Sequence, residues 1–166
     1  ETAWDEALPQ IKALCSRPLV LGRSVSTARQ RQRFVADLQA QGFKPLQAQL
    51  QFDCCEQDLQ RVSSEADGCD AVLAAGGGKV LDAGKLLAHR LSLPCITVPL
   101  SASTCAGWTA LANIYSPQGA FEGDVALDRC PDLLVFDHGL VRQAPPRTLA
   151  SGVADALAKW YEASVS

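Results

Sequence analysis

Methionine is absent from the 166 residues. Glu1 is therefore read as an internal start. The chain stops at Ser166 inside a segment of helical spacing, so an internal fragment or a processed piece is expected. No stretch approaches the roughly 20 apolar residues of a membrane span, and no basic-then-apolar leader opens the chain. Neither a membrane nor a secretory route is expected. Positive charge is not in excess: 15 Lys and Arg face 18 Asp and Glu, for a net charge of -3. That speaks against nucleic acid and acidic membrane surfaces as partners. Internal repeats and low-complexity tracts are lacking. Cysteine is not scarce, but the seven residues form no C-x-x-C pair and their number is odd. This argues against a disulfide framework and against a structural zinc site, and points to a reducing cytoplasm.

What is present is globular. Hydrophobic residues make up 48% and charged residues 20%, enough apolar material to bury a core. A short helix is expected over residues 1–14, then an apolar strand over 18–22. Ser26 or Thr27 is expected to cap the next helix, whose inward stripe is Phe34, Val35 and Leu38. Gly42 ends it. Residues 43–50 alternate as a second strand, and 56–66 form a polar helix anchored by Leu59 and Val62. Residues 71–75 and 95–100 are apolar at nearly every position, as expected of parallel strands covered on both faces. Cys69 and Cys95 read as small core residues. Residues 79–91 read as a buried helix. Residues 110–127 place Pro117, Gln118 and Gly119 between two strand-like runs, which predicts a β-hairpin. A further strand is expected over 133–136. Pro145 and Pro146 open a last helix with Leu149, Val153, Leu157, Trp160 and Tyr161 at helical spacing. The alternation predicts an α/β fold: a Rossmann-like, doubly wound, mostly parallel sheet with a β-hairpin insertion.

Two segments carry chemistry. The first is GGGKVLDAGK, Gly76 to Lys85, which follows a buried strand and opens a helix. Glycines let the backbone approach a ligand, and the unpaired N–H groups and dipole of a helix N-terminus favour phosphate. Lys79 adds a positive charge, and Asp82 can stabilise the first turn or receive a ribose hydroxyl. The competing reading is a tight turn without a ligand. The spacing is neither G-x-G-x-x-G nor a Walker loop. The second segment is SASTCAGWTALANIY, Ser101 to Tyr115, a loop rich in hydroxyls and small residues at another strand's carboxyl end.

With LASGVADALAKWYEA near the end, these segments give three motifs in order. In them the chain resembles the iron-containing alcohol dehydrogenase superfamily, in its glycerol dehydrogenase-like and hydroxycarboxylate dehydrogenase-like branch. The resemblance implies an NAD(P)-dependent, metal-containing oxidoreductase. Such an enzyme transfers hydride between a nicotinamide cofactor and an alcohol, a 2-hydroxy acid or its 2-oxo acid. It implies a nucleotide-binding domain over residues 1–144 and the first helix of an all-helical metal and substrate domain over 145–166. Gly77, Gly78, Lys79 and Asp82 would hold the pyrophosphate and the neighbouring ribose. Leu100, Ser101 and Ser103 would line the adenine and ribose side, and Thr109, Leu111 and Tyr115 the nicotinamide half. Asp155 would be the family's aspartate ligand to a catalytic Zn²⁺ or Fe²⁺. A homo-oligomer is implied for the complete enzyme.

Three departures qualify the resemblance. The histidine ligands of the family lie on a following domain. Here the two histidines read otherwise: His89 as a surface or helix-end residue, His138 as a turn or capping residue. One aspartate is not a metal site, so this chain alone is expected to bind metal poorly and to be inactive. Cys105 stands where glycerol dehydrogenases carry an aspartate toward the polyol. Either an uncharged residue there favours an anionic substrate, or the thiol fills space. Arg23 stands where an acidic residue commonly meets the adenosine ribose. It would instead pair with a 2′-phosphate, which favours NADP(H) over NAD(H), unless it is an exposed arginine past a strand end. Arg29, Arg31 and Arg33 do not share one helix face. The other readings are a dehydroquinate synthase-like lyase that uses NAD, and a non-catalytic nucleotide-binding module. The stripe of Leu149, Val153 and Trp160 is expected to be partly orphaned and therefore sticky.

Overall fold

The computed structural model describes residues 2–165. The chain opens with α1 (Ala3–Leu14), capped by Thr2 and Asp5 in a reciprocal capping box. There follow β1 (Pro18–Gly22), a 3-10 turn at Val25–Thr27, α2 (Ala28–Ala40) and β2 (Leu46–Gln49). Next are α3 (Glu56–Glu65), β3 (Ala71–Gly76), α4 (Gly78–Leu91) and β4 (Cys95–Pro99). The hairpin β5 (Leu111–Tyr115) and β6 (Phe121–Ala126) precedes β7 (Leu133–Leu134), α5 (His138–Val141) and α6 (Pro146–Val165).

Five strands form one parallel sheet in the order β2-β1-β3-β4-β7. The strand order reverses between β1 and β3, so a crevice is expected beyond their carboxyl ends. Alternation along each strand sorts side chains onto two faces. Leu19, Leu21, Val72 and Ala74 pack against α3 and α4, with Leu59, Val62, Leu81 and Leu86. Val20, Leu73, Ala75 and Ile96 pack on the other face against α1 and α2, with Trp4, Ile11, Phe34 and Leu38. Both faces are covered, which is why every residue of β1, β3 and β4 is buried. The Trp4 and Phe34 rings lie 4.3 Å apart, and Trp4 Nε1 donates to Asp37 at 3.0 Å.

The expected elements are present, with adjustments at their ends. The second strand is four residues rather than eight, because Phe43 leaves the alternation to fill the core. The strand expected at 133–136 pairs only at Leu133 and Leu134. Thr27 occupies the N-cap of α2 without a side-chain cap bond. Ser24 instead caps the 3-10 turn by accepting from Ser26 N–H at 3.2 Å. Asp137, not His138, caps α5. His89 is exposed near the end of α4, 3.9 Å from Asp128. Cys95 is buried with Cys15, Cys54 and Cys55, while Cys69 is half-buried. Burial pushes the Cys54 and Cys95 thiols up to about 12, so they behave as inert core groups. The hairpin is antiparallel and turns at Gly119, whose φ of +89° suits glycine. No described helix is long and apolar enough to cross a membrane.

Candidate dinucleotide and substrate site

The glycine segment forms the turn from β3 into α4, at the switch point of the sheet. Its three glycines do different work. A Cβ on Gly76 would lie 2.8 Å from Val80 Cβ, and one on Gly78 would lie 2.7 Å from Thr104 Cγ2. Internal packing thus accounts for both. Gly77 differs. It is the N-cap of α4 with φ -85° and ψ -179°, a backbone open to any residue. A Cβ there would meet only Ser101 Oγ, at 3.7 Å. Gly77 faces a cleft of about 380 Å³, lined also by Thr27, Gln30, Leu100, Ser101 and Arg147. In the first turn of α4 Val80 N–H donates to Gly77 O at 2.9 Å, while a helix leaves the Gly78 and Lys79 N–H groups without an intrahelical acceptor, so this end of the cleft suits an anion.

Charge gathers beside the turn. Lys79 Nζ donates to Asp53 Oδ2 at 2.7 Å and lies 4.1 Å over the Tyr115 ring. Arg23 reaches the other carboxylate oxygen of Asp53, also at 2.7 Å. Asp53 lies in the loop after β2, between the end of β1 and the first turn of α4. Sequence reasoning missed it, because an isolated acidic residue between Phe52 and Cys54 carries no local signal.

Beneath this cluster lies a buried ion pair. Lys85 Nζ sits 2.9 Å from Asp82 Oδ1, and the two side chains are 1% and 7% exposed. Lys85 also donates to Thr109 O at 3.2 Å, to Thr109 Oγ1 at 3.1 Å and to Leu111 O. Asp82 Oδ2 accepts from Asn113 N–H at 3.3 Å. Burial pushes the Asp82 carboxyl above the ordinary carboxylate range, and Lys85 draws it part of the way back. Through these bonds Asp82, Lys85, Thr109 and the Leu111 carbonyl fasten the hairpin onto α4. Lys85 was not singled out from sequence, because mid-helix lysines are usually solvated.

The Ser101–Tyr115 segment divides between two cavities. Ser101 lines the cleft and lies 3.2 Å from Ser103, hydroxyl to hydroxyl. Cys105 lines a second groove of about 550 Å³ with Thr104, Trp108, Phe136, Asp155 and Lys159. Cys105 and Asp155, which lie 50 residues apart in the chain, therefore face one space. The approach of α6 depends on Gly152, where a Cβ would lie 1.9 Å from Ala102 O. Among the described residues no group of three His, Cys, Asp or Glu side chains is placed to hold a metal ion. The single Asp155 carboxylate does not by itself make a metal centre.

Arg31 is buried beside the end of β1. It is 8% exposed, lies across Gly22, and donates to Ser24 O at 3.1 Å and to Thr27 Oγ1. A Cβ on Gly22 would fall 2.1 Å from Arg31 Cδ. The glycine that ends β1 makes room for this side chain.

Comparison with known proteins agrees with this geometry. The sequence model of the iron-containing alcohol dehydrogenase family matches residues 1–138. The chain is 58% identical over 116 residues to an uncharacterised oxidoreductase of Synechocystis, covering 69% of this chain and 30% of that protein. It is 41% identical over 112 residues to a glycerol dehydrogenase of Thermotoga maritima, covering 67% and 31%. It is 39% identical over 113 residues to hydroxycarboxylate dehydrogenase A of Escherichia coli, covering 68% and 31%. The matched segments thus amount to about a third of these relatives' length. Among solved structures, a probable glycerol dehydrogenase from Sinorhizobium meliloti superposes with a TM-score of 0.85 at 30% identity, covering 95% of this chain and 43% of that one. The chain belongs to the iron-containing alcohol dehydrogenase family.

Proposed function

We propose that this chain is the dinucleotide-binding portion of a metal-dependent dehydrogenase that works between a nicotinamide cofactor and a small alcohol, 2-hydroxy acid or 2-oxo acid. The observation that carries the reading is Gly77. Neither its backbone angles nor its neighbours require glycine, yet a side chain there would project into the cleft at the helix N-terminus. The ligand is what needs the space. The α4 N-terminus, Gly77, Gly78 and Lys79 would receive the pyrophosphate. Leu100, Ser101 and Ser103 would face the adenine and ribose side. Tyr115 would sit toward the nicotinamide half, with Asp82, Thr109 and Leu111 holding the hairpin in place. Arg23, 45% exposed at its side chain, is the cation that favours NADP(H) over NAD(H).

Residues 1–144 form the nucleotide-binding part, and residues 145–166 begin the helical part. When bound, the nicotinamide supplies the hydride. Cys105 and Asp155 mark the substrate side. The uncharged thiol removes the repulsion that a carboxylate would exert on an anionic substrate. Asp155 would contribute one ligand to a divalent metal, with the remaining ligands drawn from outside the described residues. The substrate is a small molecule and the setting a reducing cytoplasm. The complete enzyme is a homo-oligomer.

The test is a fluorescence titration with NADPH and NADH, side by side. Saturable binding is expected. Gly77→Val should weaken both cofactors by about tenfold or more while leaving the far-ultraviolet circular dichroism unchanged. Arg23→Ala should remove a preference for NADPH. A folded protein that binds neither cofactor would overturn the reading.

A further inference from the structure

The cations beside the glycine turn are already occupied by an internal anion. Asp53 is only 8% exposed. Its Oδ2 accepts from Lys79 Nζ at 2.7 Å, while its Oδ1 lies 2.7 Å from Arg23 Nη1 without accepting an aligned hydrogen bond. The Arg23 end is thus a charge contact rather than a well-made bond. Lys79 is fixed on its other side by the Tyr115 ring, and Arg23 O accepts from Gln49 Nε2 at 2.6 Å. The backbone of the Asp53 loop is held as well, since Cys54 O accepts from Tyr115 N–H at 2.8 Å. The three charged residues come from three segments and converge on one point between the ends of β1 and β3.

We propose that Asp53 is an internal stand-in for a phosphate charge between Arg23 and Lys79, and that it sets how strongly this site prefers a 2′-phosphorylated dinucleotide. The inference rests on the cofactor reading above. Two cations and one carboxylate leave a net charge of +1 at this point. A 2′-phosphate that engages Arg23 must compete with the carboxylate already there. The pyrophosphate, received by the α4 N-terminus and Lys79, is common to both cofactors, so any competition with Asp53 at Lys79 is shared, and only a 2′-phosphate competes with Asp53 for Arg23. The loosely aligned Arg23 contact is the one that yields. Lys79, with a good bond to Oδ2 and a ring beneath it, stays in place. Asp53 is a positioning residue with an electrostatic cost for one cofactor, and its removal should act on the ratio of affinities rather than on both alike.

Asp53→Asn tests this. It keeps the shape of the side chain and removes the charge. Titration of the variant should show NADPH binding tightened about tenfold relative to NADH, since a close opposing charge modulates affinity on that scale. The gain should vanish in the double variant Arg23→Ala with Asp53→Asn, because the freed cation is then gone. Where Asp53→Asn does not fold, Asp53→Ser removes the same charge with a smaller group. An unchanged NADPH-to-NADH ratio, or equal weakening of both cofactors, would overturn the proposal. So would loss of the fold in both variants, which would assign Asp53 to holding the loop alone. Failure of the wild-type protein to bind either cofactor is a different result and removes the underlying reading instead.

Discussion

Helices α4 and α6 both carry apolar residues at helical spacing, yet they meet opposite fates. Nine of the fourteen residues of α4 are buried, including Asp82 and Lys85. None of the twenty residues of α6 is buried, and Leu157 and Trp160 are 61% and 76% exposed. The difference lies in the neighbours. Helix α4 runs back along β3 and β4, and the hairpin covers its outer side. Gly84 brings it so close that a Cβ would lie 2.3 Å from Ala74 Cβ. Helix α6 touches the Ser101–Cys105 loop through Gly152 and presents the rest of its stripe outward, as the sequence led one to expect. An apolar stripe states that a helix has a face to bury. Whether that face is buried depends on what the chain lays across it.

The comparison can be broken or sharpened at three points. The largest effect is expected from Lys85→Met. It removes the ion-pair partner of buried Asp82 and three bonds to the hairpin, and should cost about 3–5 kcal/mol in urea unfolding. A cost near zero would mean that the pair does not organise α4. Gly84→Val comes next. The added methyls have to displace Ala74 in the sheet, at about 2–3 kcal/mol by the same measurement. Gly152→Val meets an even closer atom, Ala102 O at 1.9 Å, yet it should change global stability by less than about 1 kcal/mol. Its effect should appear as faster amide exchange along α6, with α4 unmoved. If Gly152→Val proves as costly as Gly84→Val, α6 is part of the core and the contrast fails.

Much of the fold was legible because burial on two faces leaves a local mark. Residues 71–75 are apolar throughout and 95–99 at every position but Thr97, and that pattern announces a strand covered on both sides. The hairpin was marked by Pro117 to Gly119, and the turn from β3 into α4 by three glycines between a buried strand and a helix. Other features left no such mark. Phe43 looked like part of an alternating strand and instead fills the core. Nothing in the local sequence singled out Arg31, which lies across Gly22. The pairing of Asp82 with Lys85 and its bond from Asn113 N–H carried no local signal either.

By itself, then, the sequence determined the layering: which segments are strands, which are helices, and which strand-to-helix turn is built of glycines. These follow from periodicity and from backbone chemistry within a few residues. The tertiary structure alone decided which charges meet. Arg23, Asp53 and Lys79 converge only because β2 and β3 flank β1 and bring the ends of three segments to one edge. Cys105 and Asp155 share a groove only because Gly152 lets α6 approach the loop after β4. Ion pairs and cavities are set by strand order and helix approach. Those are properties of contacts between distant segments, and no short window of residues encodes them.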